Sequence, residues 1–213
     1  MSTHAPADAD HVDHADHAVV AVFDLDGTLA RGHSLPRFAL MLAGPVGVPI
    51  ATLRALPHVV AGPTRERLKE RWLEMVLRGR TEDDVRSVGE RCASAIVADR
   101  VDAEMRAAVE RHRGQGHQLV LLTAALDVYA ASVADRLGFD ACLSARVDVE
   151  DGVCTGRVHD ADLTGETKLR RLRQWLGDRA DHTTVFAYGN SSDDDAVLEW
   201  AADTQRRAPG VRR

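Results

Sequence analysis

Two carboxylates close a strand-like run near the start of the chain. Val19-Val20-Ala21-Val22-Phe23 is apolar and rich in β-branched residues, and it leads into Asp24-Leu25-Asp26-Gly27-Thr28-Leu29. Such a run reads as a buried parallel strand. In an open α/β sheet, ligands bind just beyond the carboxyl ends of the strands, which is where Asp24 and Asp26 fall. Two acids this close repel each other unless a cation or a proton separates them. The spacing therefore points to a metal site, an acid/base pair, or both. A plain acidic turn also fits these few residues, because Asp-Gly is a common turn signal.

Three further stretches, in order, bear on that choice. Gln118-Leu119-Val120-Leu121-Leu122-Thr123-Ala124 is a second buried-strand pattern and ends on a hydroxyl. Lys168 opens an amphipathic helix in Gly165-Glu166-Thr167-Lys168-Leu169. Val185-Phe186-Ala187-Tyr188 then runs into the small, acidic loop Gly189-Asn190-Ser191-Ser192-Asp193-Asp194-Asp195. Together the four stretches resemble the four signature motifs of the haloacid dehalogenase superfamily of phosphohydrolases, over about residues 19–200.

The resemblance implies roles. Asp24 matches the nucleophile, which forms an aspartyl-phosphate. Asp26 matches the general acid that protonates the leaving oxygen and then activates water. Haloacid dehalogenases proper lack a carboxylate there, so Asp26 implies phosphoryl rather than halide chemistry. Thr123 and the amide of Ala124 would bind a phosphoryl oxygen, and Lys168 would neutralise Asp24 and the phosphate. Gly27 would let backbone amides approach the phosphate, with Thr28 beside it in the substrate-binding set. Mg²⁺ is the implied cofactor, with Asp24, Asp26, Asn190 and Asp194 as its candidate ligands.

Three departures qualify the match. The acidic loop usually reads Gly-Asp, three residues, Asp; here Asn190 takes the first acidic place and Asp194 the second. Asn190 still offers a carbonyl oxygen to a hard cation, but one negative charge is gone, so weaker Mg²⁺ binding is expected. Phosphoserine phosphatases carry a Glu nine residues after the nucleophile, and His33 stands at that spacing. His33 is thus a candidate substrate contact, or a surface loop residue, and phosphoserine is disfavoured as substrate. Relatives also continue from the last helix into another strand. Thr204–Arg213 has four Arg and a single β-branched apolar residue, Val211, so that strand is expected to be missing.

Around these motifs the sequence predicts a doubly wound parallel sheet with a helical insert, a Rossmann-like α/β core. Residues 1–18 read as a disordered tail, 19–33 and 99–203 as the catalytic core, 34–98 as a helical cap and 204–213 as a basic tail. The insert between the first two motifs is what the superfamily calls a type 1 cap, as in its phosphoserine phosphatase-like branch. From Phe38 to Leu53 the cap carries no charge, yet Gly44, Pro45, Gly47 and Pro49 break it too often for a membrane span. Its broken middle predicts an apolar entrance to the site. Leu143–Val149 and Val153–Val158 flank Glu150-Asp151-Gly152, a hairpin signature.

Composition narrows the class. The 213 residues are 45% hydrophobic and 28% charged, ordinary for one soluble α/β domain with a modest insert. Net charge is −6, and the four acids of residues 1–18 supply two-thirds of it. No basic footprint of a nucleic-acid binder is present. Cys92, Cys142 and Cys154 form no disulfide or zinc pattern and read as reduced thiols. No signal-peptide pattern opens the sequence, so the cytoplasm is the expected compartment. The expected activity is Mg²⁺-dependent hydrolysis of a small phosphate ester. A phosphotransferase or phosphomutase of the same superfamily, or a catalytically weak phospholigand binder, are the alternatives.

Overall fold

Alternate residues of the first strand face two different apolar layers, and this organises the molecule. In β1 (Val19–Phe23) Ala21 and Phe23 join one buried cluster, while Val20 and Val22 join the other. Strand β2 (Gln118–Leu126) does the same, with Leu119 and Leu121 on one side and Val120 and Leu122 on the other. Both faces must therefore be covered, which is why these runs are continuously apolar. The computed structural model describes residues 19–55 and 65–206. The expected tail at 1–18 lies outside the described residues.

β1 lies between β2 and β5 (Thr184–Gly189), parallel to both. With β3 (Ala141–Glu150), β4 (Val153–His159) and β6 (Asp203–Arg206) the sheet order is β4-β3-β2-β1-β5-β6, and only β4 is antiparallel. This is the expected mixed α/β architecture. Asp151 and Gly152 turn the β3–β4 hairpin with φ of 49° and 76°, the left-handed pair that a tight hairpin turn needs.

Two strand expectations need correction. β2 does not stop at Thr123; it runs on to Leu126, and its register with β3 breaks between Leu122 and Leu126. The strand expected to be missing is present. Asp203–Arg206 pairs in parallel with Phe186–Gly189 through the backbone. Its polar residues suit an outer edge, where side chains need no apolar face.

Among its described residues the insert has three helices: α1 (Ser34–Ala55), α2 (Arg65–Leu77) and α3 (Glu82–Asp99). α1 kinks at Gly44, whose φ is 72° and ψ 176°, ahead of Pro45 and Pro49. Thr81 caps α3 by accepting from Asp84 N–H at 3.2 Å. Phe38, Leu73 and Ile96 of these helices share one buried cluster with Phe23 and Tyr129. At Gly89 of α3 a Cβ would sit 1.9 Å from the Val128 carbonyl oxygen, so only glycine allows this approach to the sheet-side helix α5 (Asp127–Leu137). The turn between α2 and α3 is also laced to the hairpin. Gly79 N–H donates to Cys154 C=O at 2.9 Å, and Cys154 N–H returns to Arg80 C=O at 2.8 Å. Glu82 N–H donates to Gly152 C=O at 2.8 Å.

The chain crosses back through α4 (Ala103–Gly114), capped by Asp102, and α5, which ends at Gly138 with φ 67° as the sequence predicts. α6 (Gly165–Leu176) and α7 (Asp195–Trp200) cover the other face, where Leu172 and Leu198 meet Val20 and Val185. All three cysteines are free thiols, as expected. Among the described residues no helix is long and apolar enough to cross a membrane.

Candidate active site

Asp24 is the first residue beyond β1, and its backbone is fixed from both sides. Its N–H donates to Tyr188 C=O at 3.0 Å, and its C=O accepts from Leu29 N–H at 3.1 Å. The loop between them doubles back tightly, with Ala30 N–H on Leu25 C=O at 2.8 Å and Gly27 N–H on Ala30 C=O at 2.7 Å. Gly27 has φ 84°, and a Cβ there would lie 2.2 Å from Asn190 Nδ2. Glycine is needed for the turn and for the close seat of Asn190. The Gly27 amide itself is spent on the Ala30 carbonyl.

Lys168 comes from the first turn of α6 and is 3% exposed. Its Nζ donates to Asp24 Oδ1 at 2.8 Å and to Asp194 Oδ1 at 2.5 Å. Asp194 Oδ2 accepts from the backbone N–H groups of Asn190 at 2.9 Å and Ser191 at 3.2 Å. At Gly189 a Cβ would fall 2.5 Å from the Asp194 Cβ, so the loop can bring this carboxylate against its own strand only past a glycine. Burying an ammonium between two carboxylates needs such full hydrogen bonding, since one missing partner would leave an uncompensated charge.

Asp26 has a separate set of partners. Ser34 N–H donates to its Oδ1 and Ser34 Oγ to its Oδ2, each at 2.9 Å. Ser34 Oγ also lies 3.0 Å from the Tyr129 hydroxyl, which extends the hydrogen-bonded chain from Asp26. The sequence motifs single out neither Ser34 nor Tyr129. The contact joins residues 95 apart, and only the serine at a helix start was a local signal.

Protonation follows from these surroundings. Burial pushes the Asp24 carboxyl up to about 6, with Lys168 pulling it down and Asp194 adding to the rise. Burial also raises Asp26, against the pull of the Ser34 hydrogen bonds. Burial alone would lower Lys168; Asp24 and Asp194 outweigh it and hold its pKa above the ordinary lysine value. The site thus holds two carboxyl groups that burial pushes upward, one set against Lys168 and the other held by Ser34.

A cavity of about 540 Å³ opens over this group, lined by Asp24, Asp26, Thr123, Lys168, Asn190 and Asp194 among others. Ala124 also lines it, and His33 stands exposed at its edge. Thr123 is buried, with Oγ1 accepting from Ala125 N–H at 3.2 Å. Thr28 is placed otherwise than expected. Its side chain is fully buried and donates to Asn190 Oδ1 at 3.3 Å, behind the cavity wall. Nor does the uncharged segment of α1 form the entrance. Described side chains beyond Pro36 in α1 are absent from the lining, and the rim is polar, with Lys69 and Glu70 of α2 on it. Lys69 Nζ donates across to Ala161 C=O at 3.1 Å.

The oxygen chemistry of this wall suits a hard cation. Among the described residues no three acidic, His or Cys side chains converge on one point. Of the four ligands expected from the sequence, Asp194 and the Asp26 carboxylate are already committed to Lys168, Asn190, Ser191 and Ser34. Available oxygens are Asp24 Oδ2, which receives no hydrogen bond from a described residue, the second lone pair of Asn190 Oδ1, and the Asp26 main-chain carbonyl. These residues fit Mg²⁺ as partial ligands, the remainder coming from water and phosphate oxygens.

The haloacid dehalogenase-like hydrolase profile matches residues 21–199, spanning all of these elements from β1 to α7. The chain belongs to this family. It is 31% identical over 188 residues to protein CicA of Caulobacter vibrioides, covering 84% of this chain and 82% of that one. Phosphoserine phosphatase SerB1 of Mycobacterium tuberculosis is 28% identical over 220 residues, covering 98% of this chain and 70% of its own. A solved phospho-aspartyl intermediate analogue of phosphoserine phosphatase has the same fold, with TM-score 0.58 at 17% identity over 88% of this chain and 85% of its own. Within the family the chain is thus related to phosphoserine phosphatases.

Proposed function

We propose that this protein hydrolyses phosphate monoesters of small organic alcohols through an aspartyl-phosphate on Asp24. The observation that carries the reading is the buried Asp24–Lys168–Asp194 group set beside an Asp26 held separately by Ser34. The name of the related phospho-aspartyl structure is consistent with it.

The Asp24 carboxylate attacks phosphorus through Oδ1, the oxygen held by Lys168, in line with the ester oxygen, and the bond from phosphorus to that oxygen breaks. Asp26 gives its proton to the leaving oxygen, its carboxyl plane held by Ser34. The Asp26 carboxylate then takes a proton from water, whose oxygen attacks phosphorus and breaks the bond to Asp24. Inorganic phosphate leaves and Asp26 is again protonated. Lys168 keeps Asp24 ionised and offers positive charge to the phosphoryl oxygens throughout. Thr123 and the Ala124 amide orient one of those oxygens. Asp24, Asn190 and the Asp26 carbonyl would hold Mg²⁺, which when bound supplies further charge to the phosphoryl group. The insert of residues 34–98 acts as the cap and presents Lys69 and Glu70 to the leaving group, with His33, the last residue before it, on the same rim.

Turnover of p-nitrophenyl phosphate, with and without Mg²⁺, tests the reading. Metal-stimulated release of p-nitrophenol that disappears in Asp24→Asn is the expected result. Phosphate binding without any turnover would favour the weak-binder alternative, for which the Asn190 substitution is the supporting feature. Appearance of the phosphoryl group on an added alcohol in place of water would identify a transferase.

A further inference from the structure

A second hollow adjoins the first, and the chemistry proposed above makes no use of it. Its volume is about 310 Å³, and Glu70, Ala161, Asp162 and Leu163 line both spaces. Helix α6 is shared between them. Thr164 and Lys168 face the first cavity, while Thr167, Arg170, Arg171 and Gln174 face the second. Residues three and four apart lie on one face of a helix, so the two spaces rest on neighbouring stripes of α6. A helix is about 10 Å across with its side chains, which sets the reach from one space to the other. Between them Lys69 Nζ donates to Ala161 C=O at 3.1 Å.

Arg171 carries the signal. Its Nε is buried and has no hydrogen-bond partner among the described residues. The Asp160 Oδ2 beside it is 3.9 Å away, beyond hydrogen-bond reach. A buried donor left unmet is costly, so this N–H calls for an acceptor. The surrounding charges define what kind. Glu70, Asp160 and Asp162 bring three carboxylates to the hollow, against the two guanidinium groups of Arg170 and Arg171. Asp162 is partly satisfied, its Oδ1 accepting from Thr164 Oγ1 at 2.7 Å. A second anionic group on a ligand would meet the three acids, and an ammonium would meet the two arginines. A neutral group that both donates and accepts meets all of them. A hydroxyl does so, with one donor and two lone pairs, and the Gln174 amide is a neutral partner of the same two-way kind. Val158 and Leu163 add an apolar part of the wall for C–H faces.

We propose that this hollow is a subsite for the polyhydroxylated end of the leaving group. The favoured substrates are then sugar phosphates, with the phosphate over Asp24 and the far hydroxyls on Arg171, Asp160 and Gln174. This rests on the phosphatase reading and adds the substrate class to it.

The test compares kcat/KM of the full chain with Mg²⁺ across hexyl phosphate, glucose 6-phosphate, maltose 6′-phosphate and fructose 1,6-bisphosphate, with p-nitrophenyl phosphate as reference. The sugar monophosphates are expected to exceed hexyl phosphate by about tenfold or more, because a site built for hydroxyls discriminates against an analogue that lacks them. Arg171→Gln removes the buried donor, and Gln174→Trp fills the hollow from an exposed position of α6. Each is expected to lower the ratio of maltose 6′-phosphate to p-nitrophenyl phosphate by about fivefold or more, mainly through KM. Circular dichroism melting reports whether each variant is folded, and Gln174→Trp decides if Arg171→Gln is not.

A preference for sugar monophosphates over hexyl phosphate below about twofold, a preference for the bisphosphate, or a ratio unmoved in the folded variants overturns the proposal. The phosphatase reading stands or falls separately, on p-nitrophenyl phosphate turnover. If no ester turns over, calorimetric titration with maltose 6′-phosphate and with orthophosphate reads the subsite by itself. Binding of the sugar ester about tenfold tighter than orthophosphate, lost in Gln174→Trp, upholds the subsite, and a smaller difference overturns it.

Discussion

The floor and the rim of the cavity are built on opposite terms. Asp24, Thr123, Lys168 and Asp194 on the floor are at most 9% exposed, and each charge among them has a directed partner. At the rim His33 and Glu70 are exposed, and Lys69 reaches a neutral carbonyl. A buried charge cannot change without stranding its partner, whereas a solvated one can change at small cost. The comparison teaches that the phosphoryl chemistry is tied to the stability of this protein, while choice of leaving group is free to vary.

The largest effect that tests this contrast is on the floor. Asp24→Asn is expected to lower kcat by at least about 10³-fold with the fold intact, because an amide is a poor nucleophile. Activity within tenfold of wild type in a clean preparation would remove Asp24 from that role. Next comes Lys168→Met, which leaves two buried carboxylates facing each other. Urea unfolding at pH 7 should show a loss of about 3–5 kcal/mol, reduced by whatever relief protonation of Asp24 provides. A loss under about 1 kcal/mol would mean that the floor is far better solvated than its burial indicates.

A third effect lies beneath the floor. His112 is buried behind Phe23, with Nε2 2.7 Å from the Tyr188 hydroxyl and Nδ1 2.8 Å from His117 Nδ1. Burial, with the nearby His117 and Arg111 charges, pushes its pKa down from 6.5 to about 4. The unfolded chain therefore binds this proton first, so His112 favours the fold fully above pH 6.5 and progressively less down to about pH 4. Up to about 3 kcal/mol should be lost across that window in unfolding titrations. His112→Phe should flatten the slope; an unchanged slope would place the titration elsewhere. The smallest effect belongs to the rim. Lys69→Met should leave the unfolding free energy within about 0.5 kcal/mol, as surface substitutions do. It should shift KM several-fold for charged leaving groups, while kcat for p-nitrophenyl phosphate moves by less than about threefold. A collapse of kcat or of stability would make Lys69 part of the floor.

This division also marks what the sequence could reveal. Asp24, Asp26, Thr123, Lys168, Asn190 and Asp194 all line one cavity, as their places at strand ends and helix starts implied. Backbone topology carries them there, and apolar period is written locally. The partners that tune them are set by tertiary packing. Ser34 and Tyr129 meet across 95 residues, and Thr28 turns inward to donate to Asn190 Oδ1, 162 residues away. Strand β6 escaped notice for a related reason. Asp203–Arg206 owes its conformation to the open edge of β5, which no propensity in its own four residues records. The uncharged run of α1 misled in the other direction. Phe38, Ala39 and Leu42 are spent on the interior, so their apolar character says nothing of the entrance.

The lacing of the α2–α3 turn onto the β3–β4 hairpin bears on how such proteins can be recombined. Gly79, Arg80 and Glu82 pair by backbone with Gly152 and Cys154, and Gly156 sits under α2, where a Cβ would fall 3.0 Å from the Glu74 carbonyl. Helices α1–α3 follow one another in sequence, but their backbone-paired neighbour is a hairpin that begins more than forty residues after α3. A chimaera that takes only the insert from a relative would cut this seam and leave two sets of backbone groups without partners. The natural unit of exchange is the insert together with Ala141–His159, a discontinuous module that a boundary drawn along the sequence would miss.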